Sequence, residues 1–184
     1  MMKISSIIAG LATSLTLAAS SAWAADGTVN FTGEIIDEAC VVDIGADNTM
    51  TVDLGRVAKS SFRASGDEAP ETRFSLKLKS CPETVTTAKV KFDGANDTTN
   101  SGLLALTQET GVAKGIGVTL RTADKAALGL DAVNDYSYTL SSTEENSLDF
   151  YAAYRSTSDT VVAGKANATY CHLYCGLQLI AAGS

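Results

Sequence analysis

The chain has one histidine, His172, and only two prolines and one tryptophan among 184 residues. A lone histidine cannot build a multi-histidine metal site, and it gives a Ser-His-Asp triad little to stand on. Basic residues are also short: 14 Lys and Arg face 21 Asp and Glu. An acidic surface repels phosphate backbones, which argues against nucleic acid as a partner. Outside the first 24 residues no apolar run approaches the length of a membrane-spanning helix. No stretch holds a sustained 3.6-residue period, and there is no internal repeat, low-complexity tract or domain linker.

The remaining chemistry-bearing motifs read as structure. Cys171-His172-Leu173-Tyr174-Cys175 offers three zinc ligands, but nothing elsewhere supplies a matched pair. Gly111-Val112-Ala113-Lys114-Gly115-Ile116-Gly117 lacks the phosphate-loop spacing and reads as a turn entering a strand. Glu144 and Glu145 lie in a solvated turn, and Asn167-Ala168-Thr169 is a bare glycosylation triplet. The sequence therefore predicts no catalytic residue, no metal, no cofactor and no small-molecule substrate.

What is present begins with a leader. Lys3 supplies a positive start, Ile7 to Ala19 an apolar run, and Ala22-Trp23-Ala24 a small-x-small cleavage pattern. Residues 1–24 read as a signal peptide, and 25–184 as a single domain long enough for a real core. Removing Lys3 takes the net charge from −7 to −8. Export makes disulfides plausible, and the four cysteines allow three pairings. Cys40 and Cys81 sit in strand-like contexts with a long loop between them, so this pair is expected.

Period-2 patterns dominate the domain. Val52 and Leu54 alternate with Thr51 and Asp53. Phe74, Leu76 and Leu78 alternate with Ser75, Lys77 and Lys79. Val90 and Phe92, then Ile116, Val118 and Leu120, then Tyr136, Tyr138 and Leu140, then Leu148, Phe150, Ala152 and Tyr154 repeat the pattern. Each set places apolar side chains on one sheet face. Short strands with turn-rich segments between them predict an all-β sandwich, with Ser60 to Pro70 a surface loop.

The segment Gly27-Thr28-Val29-Asn30-Phe31-Thr32-Gly33-Glu34-Ile35-Ile36, running into Ala39-Cys40-Val41-Val42-Asp43, resembles the start of type 1 fimbrial major subunits. The likeness continues through Thr51-Val52-Asp53-Leu54-Gly55, Phe74 to Cys81, Gly115-Ile116-Gly117-Val118, Phe150 to Tyr154 and Gly164-Lys165-Ala166-Asn167-Ala168. This resemblance implies an incomplete immunoglobulin-like sandwich that lacks its final strand. It implies a periplasmic chaperone that lends a strand. An outer-membrane usher then exchanges that strand for the N-terminal extension of the next subunit. The chain would travel through the periplasm to the cell surface and polymerise with copies of itself, or related pilins, into a rod that supports adhesion. Residues 25–32 would be the donor extension, with Gly27, Val29 and Phe31 on its inserted face. The alternatives are a minor adaptor pilin of the same system and a secreted monomeric β-sandwich binding module.

The tail departs from that family pattern, which ends in an alternating strand with a penultimate tyrosine. Permitted codons for Tyr170 to Leu179, read one base forward, give Ile-Ala-Thr-Phe-Thr-Val-Asp-Tyr-Asn and then a stop. Residues 170–184 are therefore expected to reflect a shift of reading frame near Thr169.

Overall fold

Alternation of apolar and polar side chains decides where the strands form. The computed structural model describes residues 40–45, 49–132, 134–170 and 180–181. Within them the strands are β1 (Val41–Asp43), β2 (Thr72–Lys79), β3 (Thr87–Lys89), β4 (Ile116–Arg121), β5 (Tyr138–Thr139), β6 (Asn146–Ser156) and β7 (Ile180–Ala181). One 3-10 turn at Lys59–Ser61 is the only helical element among the described residues. Two antiparallel sheets result, one in the order β1-β2-β6-β4 and the other β5-β3-β7.

The alternating sets expected at Phe74 to Lys79, Ile116 to Arg121 and Leu148 to Tyr154 fall in β2, β4 and β6, which carry the larger sheet. Phe74 lies opposite Phe150, Leu76 opposite Leu148, and Val118 opposite Tyr154. Leu78, Leu148 and Phe150 are fully buried, as is Val90 just past the end of β3. Phe150 is the hub of the core. Its ring stacks on Phe74 with centroids 5.5 Å apart, and meets Phe92 edge-on at 5.1 Å and Tyr138 at 5.3 Å. Such aromatic pairs add stabilisation beyond their buried area.

A disulfide joins Cys40 to Cys81, across 41 positions of sequence. It ties the start of β1 to the end of β2. Asn146 seats beside it, its amide 3.5 Å from Cys81 Sγ while also bonding Ser141 through both its oxygen and its nitrogen.

Ser60 to Pro70 is a surface loop, as expected, but it is tied to the sheet. Phe62 and Ala69 are buried, and backbone bonds run from Gly66 to Ser156, from Ser156 to Asp67 and from Ala69 to Tyr154. The segment thus extends the sheet along β6, because its backbone groups find partners there that its polar side chains do not advertise. β4 is buried on both faces, Gly117 and Thr119 included. Leu103 packs against Gly117, and Leu104 exchanges both backbone bonds with Val118.

The outer face of the larger sheet is laced with ion pairs. Arg73 pairs with Asp149 at 2.5 Å, Lys77 with Glu145 at 2.7 Å, and Lys79 with both Glu145 and Asp43. Arg121 bridges Glu68 and Glu71. Exposed pairs contribute little individually, yet they set the acid response. Hydrogen bonding from Lys79 lowers the Asp43 carboxyl, and Lys77 does the same to Glu145. Burial pushes Asp149 up, but Ser75 and Arg73 together hold it below its ordinary value.

Two outcomes are expected. Replacing Cys40 and Cys81 together with alanine removes a cross-link of the kind worth roughly 4 kcal/mol in the chain-entropy picture, so the melting temperature should drop well below wild type; an unchanged melt would show the bridge contributes nothing. The depressed carboxylates stabilise the fold fully above the unfolded-state values of 3.8 for Asp and 4.5 for Glu. That contribution is lost as pH falls through the lower folded-state values. Melting scans from neutral pH to about pH 2 should therefore show stability declining in the acid range, more weakly at high salt; a flat profile would refute this assignment.

Candidate functional site

The segment at 49–57 has the alternation of a strand but joins no ladder among the described residues. Among the described residues, the one hydrogen bond made by the backbone from Met50 to Val57 is internal, from the Gly55 N–H to the Asp53 carboxylate at 2.8 Å. Val52 and Leu54 are half-buried while Thr51 and Asp53 are exposed. Gly55 then takes a φ of +71°, a left-handed conformation that glycine adopts without strain. Beyond it Arg56 is exposed and Val57 half-buried, so the inward positions change from even to odd numbers. The conformation at Gly55 has shifted the phase of the edge by one residue.

A second extended segment, 161–170, runs on the other side. Its outward backbone groups are satisfied. Val162 exchanges bonds with Lys114, the Lys165 carbonyl accepts from Ala113, and the Asn167 carbonyl accepts from Thr107. Gly164 permits this approach, since a Cβ there would fall 2.4 Å from the Gly111 carbonyl. Glu109 secures the same side, bonding Lys165 at 2.8 Å and the Asn167 amide at 2.9 Å. The Lys165 bond is the main reason the Glu109 carboxyl lies below its usual range. By the alternation of an extended chain, the groups of Ala166 and Ala168 face the other way. Neither residue has a backbone-to-backbone bond among the described residues.

Between these two edges lies an open groove of about 1370 Å³. Leu76, Ile116, Val118, Leu120 and Ala152 form its apolar floor, with Tyr154 among them. Tyr154 crosses from β6 and donates its hydroxyl hydrogen to the Ala166 carbonyl at 2.9 Å. Burial, and secondarily the charge of Asp53, raise its pKa, so the group stays a hydrogen-bond donor. At one end Tyr170 packs on Phe92 with centroids 5.1 Å apart. Its hydroxyl is buried without a hydrogen-bond partner among the described residues, and burial raises its pKa strongly. Lys91 and Asp93 pair at 2.7 Å on the groove lining. The groove thus combines an apolar trough with flanking backbone groups that have no backbone partner among the described residues, an arrangement that suits an extended peptide.

The sequence-predicted residues fall on both sides of what can be described. Gly27, Val29 and Phe31, the signal peptide 1–24 and the extension 25–32 lie outside the described residues. So do Cys171, His172 and Cys175. The last described residues, Ile180 and Ala181, pair with Lys89 and Ala88 of β3. The glycine-rich run 111–117 crosses beside 162–165 and then enters β4. Among the described residues no group of three or more His, Cys, Asp or Glu could hold a metal ion. Sequence reasoning missed Tyr154 as the link between floor and edge, and missed Val161 and Phe62 as lining residues. Phe62 offered a signal, an apolar residue in a polar stretch, whereas Tyr154 read only as one of the apolar set along its strand.

The fimbrial protein family profile matches residues 29–171. A probable major fimbrial subunit LpfA of Escherichia coli O157:H7 is 39% identical over 160 residues, covering 85% of this chain and 88% of the relative. The type-1 fimbrial protein A chain of Escherichia coli K12 is 34% identical over 178 residues, covering 92% and 97%. Among solved structures, an antigen and type I fimbria protein of Burkholderia pseudomallei aligns with a TM-score of 0.53 and 31% identity, over 77% of this chain and 92% of that one. The P pilus rod subunit PapA aligns with a TM-score of 0.55 at 22% identity, over 73% and 100%, and carries the likeness of fold alone. The architecture is the incomplete immunoglobulin-like sandwich of the pilins, and the chain belongs to the fimbrial protein family.

Proposed function

We propose that the groove receives the N-terminal extension of another subunit, and that the chain polymerises by this exchange into a fimbrial rod at the cell surface. The observation that carries the proposal is the pair of edges, Met50–Val57 and Ala166–Ala168, which line an apolar floor and whose inward-facing groups have no backbone partner among the described residues. One inserted strand meets both needs at once. Its backbone pairs with the edges, and its alternate side chains fill the trough. The donor is residues 25–32 of a second copy, with Gly27, Val29 and Phe31 directed inward. Burying Val29 and Phe31 contributes roughly 1.5–3 kcal/mol each, before any ladder bonds. The smallest residue, Gly27, suits a shallow place in the groove.

An exposed apolar trough is an aggregation hazard until filled. A periplasmic chaperone that lends a strand, and an outer-membrane usher that exchanges it, answer that hazard. The family membership supports this route. It is non-enzymatic work: the product is a polymer. The leader at 1–24 delivers the chain to the periplasm. For the tail we propose a frame change near Thr169, which the end of the family match at residue 171 supports.

The donor and acceptor halves can be tested apart. Val29→Asp or Phe31→Asp should abolish polymer while leaving chaperone-bound subunit at wild-type yield. Leu54→Arg should block the acceptor and leave the donor competent. Each variant alone should fail to polymerise, and a mixture should stop at heterodimers, read by size-exclusion chromatography. Wild-type polymer from either donor variant would refute the assignment of residues 25–32. Sequencing the 3′ end of the gene tests the tail: the alternative frame should encode an alternating strand with a penultimate tyrosine, and any other ending disposes of the idea.

A further inference from the structure

Ala166 is the point where the two states of the groove must differ. The Lys165 and Asn167 carbonyls point outward to Ala113 and Thr107, so the Ala166 carbonyl faces the opening. An incoming strand needs that acceptor for its own N–H. The acceptor is already engaged by the Tyr154 hydroxyl, which reaches it from the floor.

We infer that Tyr154 is a stand-in donor: its hydroxyl occupies the Ala166 carbonyl while the groove is open and gives it up to a backbone N–H of the inserted strand. Tyr154 is therefore a positioning residue that sets the affinity of the groove, and this rests on the acceptor reading above. Three observations converge on it. The bond spans from β6 of one sheet to the edge that the other strand must join. The remaining backbone groups of Ala166 and Ala168 have no backbone partner among the described residues, so Tyr154 covers the one inward acceptor that has a partner. Burial and Asp53 keep the phenol protonated, so it remains able to donate. The device holds the edge in an extended, ladder-ready conformation without a strand beside it. It also weakens binding, since the hydroxyl bond must be surrendered on insertion.

The sign of the effect separates this role from an ordinary structural one. Tyr154→Phe removes a bond from the open form only. The free chain should melt lower than wild type, yet a synthetic peptide of residues 25–34 should bind the variant more tightly, by roughly two- to tenfold if one ordinary hydrogen bond is at stake. Tyr138→Phe is the control. It loses a comparable bond, from its hydroxyl to the Asp149 carbonyl at 2.6 Å, but not at the groove edge. It should lower the melt and leave peptide affinity unchanged. On wild-type protein, isotope-labelled Ala166 carbonyl should show through-hydrogen-bond coupling to a peptide amide nitrogen once the groove is filled. Unchanged or weaker peptide affinity in Tyr154→Phe, or no such coupling, would overturn the handover and leave the acceptor reading intact. If the peptide does not bind wild-type protein at all, both fall.

Discussion

The structure turns on unmet backbone valence. A buried peptide group must find a hydrogen-bond partner, because leaving it desolvated and alone costs more than most single contacts return. Two segments of this chain, 50–57 and 166–168, are held in extended form on either side of an apolar trough and find almost no partner among the described residues. The rest of the molecule serves to hold those edges apart and in line. The disulfide anchors β1 to β2, the Phe150 cluster locks the sheets, and Glu109 ties down the outer side of the second edge. Rigidity matters here, since a collapsible sandwich would close over its own opening.

Within that frame the functional and structural residues are distinguishable by what they touch. Phe74 and Phe150 meet other aromatic rings and belong to the core. Leu54 and Val57 have no backbone partner among the described residues, and their side chains are only half covered. The outer face is covered with matched ion pairs, Arg73 with Asp149 and Arg121 with Glu68 and Glu71 among them. That pairing leaves the outer face of the larger sheet polar, while apolar side chains floor the groove.

Local pattern made much of this legible. Period 2 is a property of a few neighbouring residues, so Thr72–Lys79 and Asn146–Ser156 could be read directly, and the cysteine contexts pointed to the Cys40–Cys81 bridge. Pairing is not local. The stretch Thr51–Leu54 carries the same alternation as a true strand, and nothing in it records that it joins no ladder among the described residues. Ser60 to Pro70 read correctly as a surface loop, but its polar side chains left no sign of the backbone bonds that tie it to β6. The alternate burial expected at β4 disappeared because Leu103 and Leu104, distant in the reading, cover its second face. The role of Tyr154 depended on a contact with Ala166 across the sandwich, which no spacing rule supplies.

The left-handed residue at position 55 reaches further than its own turn. A partner of strict two-residue rhythm can keep step with one side of that irregularity but not the other. Sliding by one place would invert every inserted side chain. In the proposed joint, the irregularity at Gly55 is a notch against which an inserted strand would find its place along the edge.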